Sequence, residues 1–242
     1  MVGDPDVQPV TGPRRRHRRR PFPQAVFLVA VGVLAITACS SGDGAARKTT
    51  DGVTKISEGD LADRLDALPT TDLTPDERAG LLRMREEELL ARDTYLALGD
   101  RWGTKVFTNI SSAEQTHTDA VKALLDRHGI ADPAADHVAG AFADRELQSL
   151  YRSLVDPGSR SLVDALVVGA TIEDLDLADL RARSTDTVDI AWVYSNLERG
   201  SRNHLRAFVR QLDRNGADYA PTHISQDEFD WIVAGDMERQ SG

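Results

Sequence analysis

The sequence predicts an all-α protein, built as a four-helix bundle with a crossover connection and short flanking helices. Aromatic residues make up only 5% of the 242-residue chain, and Ala, Leu, Asp and Arg are common. This composition suits helices better than sheets. Four long segments repeat apolar side chains at the 3.6-residue period of a helix, and helix-start signals precede several of them. Four long amphipathic helices pack most simply as a bundle.

The first long helix is predicted from Thr74-Pro75-Asp76-Glu77 to about Trp102. Threonine, proline and glutamate at these positions form a capping box with proline in the first turn, and Gly103 is suited to the residue after the helix. A glutamate lies in the middle of the apolar face. In order, that face reads Leu81, Met84, Glu88, Ala91, Tyr95, Leu98 and Trp102.

The second long helix is predicted to begin between Thr104 and Asn109 and to end at Gly129. Here an acid and a histidine point toward the expected core. Burying an ionised carboxylate costs several kcal/mol unless a counter-charge or a metal meets it. The alternative is that Glu114 and His117 are buried together as a neutral pair. The apolar face reads Ile110, Glu114, His117, Val121, Leu124 and His128.

The third and fourth long helices repeat the pattern. The third opens with Ser161-x-x-Asp164 and runs to about Arg183, and the fourth runs from about Asp186 to Asn215. Each again carries a potential metal ligand within its apolar face. The faces read Leu162, Leu166, Gly169, Glu173, Leu177 and Leu180 in the third, and Ile190, Tyr194, Leu197, Ser201, His204 and Phe208 in the fourth.

Three short helices are predicted around the bundle. The first covers residues 56–68, the second runs from Asp144 to Val155, and the last follows the capping box that begins at Ser225. Residues 130–143 form a loop long enough to carry the crossover. We expect His137 in this loop to be exposed, as a loop histidine usually is.

The first 38 residues read as a secretory signal. The basic run Arg14–Arg20 is followed by the apolar run Ala25–Ala38 and then Cys39. The apolar run is too short for a comfortable membrane span. Ile36-Thr37-Ala38-Cys39 resembles the bacterial lipobox, which implies a lipid on Cys39 and a lipoprotein on the extracytoplasmic face of the membrane, in the cell envelope. The alternatives are a basic arm for nucleic acid and a short anchor helix.

The predicted organisation is a lipoprotein signal peptide over residues 1–38, a flexible tether with a short helix over 39–72, and the helical domain over 73–242. Cleavage would leave 23 basic and 37 acidic residues, a net charge of −14 with histidine neutral, so we expect no nucleic-acid partner. One cysteine in the chain excludes an intrachain disulfide and a thiolate cluster. Any metal must therefore be held by oxygen and imidazole.

Every apolar face is interrupted near its middle by a potential ligand. Any one of these alone reads as a residue at the edge of the face with its polar end in water. Four interruptions at comparable depth favour metal coordination, since divalent ions bound by carboxylates and imidazoles compensate all the buried charge at once. The residues are Glu88, Glu114, His117, Glu173 and His204.

These residues carry a family resemblance. Glu88-x-x-Ala91-Arg92-x-x-Tyr95 and Glu114-x-x-His117 resemble the first- and second-helix motifs of rubrerythrin-type ferritin-like proteins. The chain more closely resembles a bacterial and archaeal ferritin-like family classed as a domain of unknown function, over about residues 73–235. The resemblance implies a ferritin-like four-helix bundle. The segments that carry it are Glu86–Leu98, Arg101–Pro133, Gly169–Leu180 and Arg199–Phe208.

The resemblance also implies a role for each residue at a dinuclear site. Glu88 is a terminal ligand, Glu114 bridges two divalent metal ions and His117 binds one of them. Glu173 and His204 come from the third and fourth helices. The implied metal is iron, with manganese or zinc as alternatives.

The sequence departs from the fuller di-iron pattern at Ser201, where that pattern has a glutamate. Asp176, one turn beyond Glu173, is the candidate for the missing carboxylate, so we expect two metal positions of unequal strength. Tyr95 is expected to fill the core and to hydrogen-bond a ligand carboxylate.

Three functions remain open from the sequence. The first is a di-iron oxidoreductase that acts on iron or peroxide at the envelope, the second a non-catalytic metal-binding module, and the third a metal-free helical interaction scaffold. The expected partner is the membrane, through the lipid at Cys39. A homodimer is left open, and the sequence identifies no redox partner.

Overall fold

The computed structural model describes residues 56, 58–142 and 144–239. Within these ranges the chain forms seven helices and no strand, apart from one antiparallel bridge between Val138 and Ala141. The all-α prediction is confirmed. The helices are α1 (Glu58–Ala67), α2 (Pro75–Trp102), α3 (Lys105–Arg127), α4 (Arg145–Gly158), α5 (Leu162–Ala182), α6 (Val188–Arg214) and α7 (Gln226–Ala234).

The helix ends follow local capping chemistry. Thr74 and Glu77 form the predicted capping box at the start of α2, and Gly103 ends that helix with φ of 64°. The predicted end of α4 at Val155 is wrong by three residues, because Pro157 lies in its last turn. Proline has no N–H to donate, but near the end of a helix this loss has little effect. The N–H of Ser159 still donates to the carbonyl of Val155 at 2.9 Å.

The four long helices pack in two pairs, α2 with α3 and α5 with α6, and further contacts join α3 to α6 and α2 to α5. Their apolar side chains form two clusters. The first core cluster includes Tyr95, Phe107, Leu166 and Phe208. The second core cluster includes Leu81, Met84, Val121, Leu124, Leu180, Ile190 and Leu197.

The two clusters lie at opposite ends of the long helices. Near its start, helix α3 places Phe107 in the first core cluster, and near its end it places Leu124 in the second. Helix α5 begins again in the first cluster, with Leu166. The chain between α3 and α5, which contains α4, therefore returns along the length of the helices. Between the clusters, buried acids and histidines interrupt the apolar core.

Buried aspartates anchor the loops. Asp174 on α5 accepts hydrogen bonds from the backbone N–H groups of Thr222, His223 and Ile224 and from the hydroxyl of Tyr219. These bonds fix the segment that leads into α7. They also satisfy a carboxylate that would be costly to bury alone.

A second aspartate holds the loop before α4. Asp93 on α2 contacts Nε2 of His137 at 2.7 Å and accepts from the N–H of Gly140 at 2.7 Å. The side chain of His137 is only 9% exposed, so the prediction of an exposed histidine is wrong. The buried carboxylate draws the ring inward, which periodicity within the loop could not reveal.

The predicted signal peptide over residues 1–38, the predicted lipidation site Cys39 and the predicted tether up to residue 55 lie outside the described residues. Among the helices that the structure describes, none combines the length and the apolar character needed to cross a membrane.

Candidate metal centre

Two overlapping groups of side chains meet between the core clusters. Glu88, Glu114 and His117 form one group, in which ligand atoms lie within 4.8 Å of one another. Glu114, Glu173 and His204 form the other by the same measure. All are buried, and Glu114 belongs to both groups. Five of the six residues predicted as metal ligands therefore come together, from four different helices.

Glu114 lies between the two histidines. Its Oε2 is 2.8 Å from Nδ1 of His117, and its Oε1 is 2.9 Å from Nδ1 of His204. The outer carboxylates are slightly farther away, with Glu88 Oε2 at 3.4 Å from His117 Nδ1 and Glu173 Oε2 at 3.5 Å from His204 Nδ1. The two rings are stacked, with centroids 5.5 Å apart. One carboxylate thus presents one oxygen to each group, as a bridging ligand would.

The ring nitrogens of both histidines are buried without a hydrogen-bond partner. Nδ1 and Nε2 of His117 and of His204 are all unsatisfied, and so is Oε1 of Glu88. The carboxylate oxygens are close to Nδ1 of each ring, but neither contact has the geometry of a hydrogen bond. Unsatisfied buried polar atoms are costly and rare. A cation held by each group would satisfy one nitrogen of each ring.

Burial and mutual repulsion decide the protonation of the cluster without metal. Burial raises the pKa of Glu88 to about 8 and that of Glu173 to about 7. Burial opposes the charged form of His204, but Glu114 and Glu173 raise the pKa of that ring to about 9. Burial alone would raise the pKa of Glu114, but His204 and His117 together hold it below its ordinary value. Protons therefore occupy the cluster at neutral pH, where a metal would replace them.

Tyr95 closes one side of the cluster. Its hydroxyl donates to Oε1 of Glu173 at 2.6 Å, as expected from the sequence. The ring packs against Phe208 and Phe107, with centroids 5.3 and 6.3 Å away. These aromatic side chains belong to the first core cluster and shield the carboxylates from water on that side.

Asp176 takes a different place from the other predicted ligands. It lies outside both three-residue groups and accepts a hydrogen bond from the hydroxyl of Ser201. Burial, and then the charge of Glu88, raise its pKa well above the ordinary value. The sequence suggested that Asp176 joins the His204 group, whereas its carboxylate is outside that group and accepts a hydrogen bond from Ser201 on α6. Spacing along one helix could not reveal a bond to another helix.

The residues fit a pair of divalent ions. Three carboxylates and two imidazoles, with no thiolate, are donors that suit iron, manganese or zinc. The shared carboxylate and the orphaned nitrogens are observations independent of any resemblance. No other groups of this kind occur within the described part of the chain.

Comparison with known proteins gives one family. The family described as "Uncharacterized protein domain (DUF2202)" matches residues 77–236. The chain is 48% identical over 181 residues to "Uncharacterized protein MJ0754" of Methanocaldococcus jannaschii, covering 74% of this chain and 98% of that protein. The crystal structure of hypothetical protein MJ0754 from Methanococcus jannaschii DSM 2661 superposes with a TM-score of 0.69, at 49% identity, over 71% of this chain and 99% of that one. The chain therefore belongs to the DUF2202 family.

Proposed function

We propose that this protein is a ferritin-like four-helix bundle that binds a dinuclear metal centre, with iron as the metal. The observation that carries the proposal is the position of Glu114, whose two oxygens face two buried histidines with no other partner. Manganese and zinc suit the same donors and are the alternatives.

The packing of the helices supports the bundle. Helices α2, α3, α5 and α6 each bring at least one side chain to the cluster, and the chain returns along their length between α3 and α5. A long crossover between the second and third helices is the connection found in ferritin-like bundles.

Within the proposed centre, Glu88 and His117 would hold one ion and Glu173 and His204 the other, with Glu114 as a ligand shared by both groups. Bound iron would supply one-electron chemistry, in which Fe²⁺ is oxidised to Fe³⁺ while oxygen or peroxide is reduced. The chain itself orients the ligands and excludes water. Tyr95 fixes Glu173, and the aromatic cluster around Phe208 seals one side.

Charge balance supports two unequal positions. Two divalent ions carry four positive charges, and the three carboxylates of the two groups carry three negative ones. Asp176 is the adjacent acid that would supply the fourth. Because Ser201 holds it outside both groups, the second ion is bound with less compensation.

The second candidate function is a metal-binding module without turnover. Ser201 favours it, since a serine bonded to Asp176 stands where a further ligand would complete a Glu-x-x-His pair. A metal-free helical scaffold is the third candidate. The unsatisfied nitrogens of His117 and His204 argue against a metal-free scaffold, because burying them without a partner would destabilise the fold.

We further propose that residues 1–38 are a lipoprotein signal peptide, 39–72 a tether and 73–242 the bundle domain. A lipid on Cys39 would hold the protein on the extracytoplasmic face of the membrane. The net negative charge of the chain disfavours nucleic acid as a partner. Labelling with a radioactive fatty acid tests the anchor, since Cys39→Ala should lose the label.

The metal centre is tested by the metal content of the purified full chain. We expect about two ions per chain in the natural protein and almost none in Glu114→Ala, because both groups lose their shared ligand. The matched control is Glu87→Gln, which changes the adjacent carboxylate, bonded to Arg83 rather than to the histidines. Metal loss in both variants would point to general damage.

Thermal unfolding gives a second measure. At a hundred- to thousand-fold excess over the dissociation constant, a metal that binds only the folded state stabilises it by about 3–4 kcal/mol. A chelator should remove that stabilisation from the natural protein and leave Glu114→Ala unaffected. An unchanged melting temperature after complete chelation would favour the metal-free scaffold.

A further inference from the structure

Gly200 lies in the middle of α6, where the helix faces the His117 ring. A Cβ atom added to Gly200 would lie 2.4 Å from Cε1 and 2.5 Å from Nε2 of His117. Distances under about 3.0 Å are not found between real Cβ atoms and their neighbours, so any side chain here would displace the ring. The backbone of α6 is therefore in direct contact with one edge of the imidazole.

The ring has little freedom to move away while keeping its orientation. Its other nitrogen, Nδ1, which is bonded to Cε1, faces the carboxylates of Glu114 and Glu88 at 2.8 and 3.4 Å. The ring of His204 stacks on it at 5.5 Å between centroids. His117 is fully buried between these groups and α6. A Cβ at position 200 would have to rotate the ring, and rotation would turn Nδ1 away from the carboxylates.

From this geometry we propose that Gly200 is a positioning residue for the metal held by Glu88, Glu114 and His117. The inference rests on the proposed function, and it gives a role to a residue that is not itself a metal ligand. By packing against the Nε2 edge, the bare backbone leaves Nδ1 as the nitrogen that faces the carboxylates. The three atoms nearest to the added Cβ all belong to His117 and none to His204.

Helical propensity indicates that glycine is present at position 200 for a reason other than helix stability. Glycine inside a helix is destabilising relative to alanine, because it loses more backbone freedom on folding. Gly200 lies within the 27-residue helix α6, far from either end. A glycine at this position therefore needs a reason other than helix stability. The atoms nearest to the absent side chain belong to His117, so the reason is the space that this ring occupies.

Other helical glycines supply matched controls. At Gly80 on α2 an added Cβ would meet the side chain of Arg183 at 3.5 Å, an ordinary contact. Gly80→Ala therefore introduces the same methyl group into a long helix without touching the cluster. At Gly169 the added Cβ would lie 2.4 Å from Cε1 of Phe208, so Gly169→Ala reports a clash in the core that does not involve a metal-group histidine.

The first experiment titrates Zn²⁺ into the metal-free full chain. We expect two sites in the natural protein, and in Gly200→Ala a loss of one site or a weakening by about 10- to 100-fold, the usual effect of removing support from a metal ligand. His117→Ala should lose the same site, and Gly80→Ala should keep both. Two sites of natural affinity in Gly200→Ala would overturn the inference.

A second experiment needs no metal. Melting temperatures are measured for Gly200→Ala, His117→Ala and the double variant, all metal-free, and the side-chain ¹⁵N resonances of the histidines are recorded. We expect Gly200→Ala to lower the melting temperature and shift the His117 resonances, with those of His204 less affected. In the His117→Ala background the same alanine should cause no loss, because the clashing ring is gone. Equal losses in both backgrounds would overturn the inference.

The two experiments separate the inference from the function on which it rests. If the natural protein takes up no Zn²⁺, iron or manganese, the proposed function fails, while the metal-free measurements still decide whether Gly200 sets the His117 ring. If Gly200→Ala does not fold, folding of the double variant supports the contact. Failure of both to fold would contradict it.

Discussion

The hydroxyl of Tyr95 donates a 2.6 Å hydrogen bond to Oε1 of Glu173, across the interface between α2 and α5. The other oxygen of the same carboxylate faces His204, 3.5 Å from Nδ1. The bond thus sets which oxygen Glu173 presents to the cluster. Hydrogen bonds of this kind, one step removed from a metal, orient the ligands and tune their affinity.

Tyr95→Phe should weaken metal binding at the His204 position by about 10- to 100-fold, because Glu173 loses the bond that orients it. The ring and its packing against Phe208 are retained, so the fold should be kept. Titration of the metal-free protein measures the change. Tyr194→Phe is the control, since the hydroxyl of Tyr194 donates to neither metal group among the hydrogen bonds described. Equal weakening in both variants would contradict the assigned role.

Asp176→Ala should lower the metal content toward one ion per chain, because the three carboxylates of the two groups balance only three of the four positive charges and the fourth carboxylate is lost. Asp176 lies one helical turn from Glu173 on α5, although its carboxylate belongs to neither group. Metal analysis after dialysis at low free metal measures the change. Two equally tight ions that do not respond to Asp176 would show that the ligands on α5 and α6 are assigned wrongly.

Metal affinity should fall as pH falls from about 9 to about 7. In the metal-free cluster the pKa is raised to about 9 for His204, about 8 for Glu88 and about 7 for Glu173. Because a raised pKa means that the proton is still bound near neutral pH, the metal must displace it, and each displaced proton changes the affinity by about tenfold per pH unit. Calorimetry in buffers with different ionisation enthalpies counts the released protons. An affinity independent of pH over this range would contradict the prediction that the metal-free cluster holds protons near neutral pH.

Asp174→Asn should destabilise the protein by about 2 kcal/mol or more, because an amide replaces a charged acceptor that binds three successive backbone N–H groups. Burial acts against the charged form, but the hydrogen bonds from Thr222 and Ile224 hold the pKa of Asp174 below its ordinary value of 3.8. A lowered pKa contributes stability above that ordinary value and loses it as pH falls through the lowered one. The difference between variant and natural protein should therefore shrink in acid.

Denaturant unfolding at neutral and acidic pH measures this difference. The control is Asp213→Asn, which changes an exposed aspartate on α6. A deficit of the same size at all pH values would mean that the charge of Asp174 does not contribute.

Local information was enough to predict the helices and the buried acids and histidines that meet between them. The capping box at Thr74 and the glycine at position 103 define α2 because caps act within a few residues of a helix end. Glu88 and His204 could be found because a polar residue within an apolar helical face must be satisfied inside the protein. That requirement is visible in one helix at a time.

Contacts between helices were decided only by the tertiary structure. The sequence suggested Asp176 as a ligand but could not show that Ser201 holds it aside, because that bond joins α5 to α6. Gly200 had a signal, a glycine within a long helix, yet the ring that requires it comes from α3. The burial of His137 depends on Asp93, 44 residues away. Periodicity orients a side chain on its own helix, whereas the partner that it meets depends on how the helices pack against one another.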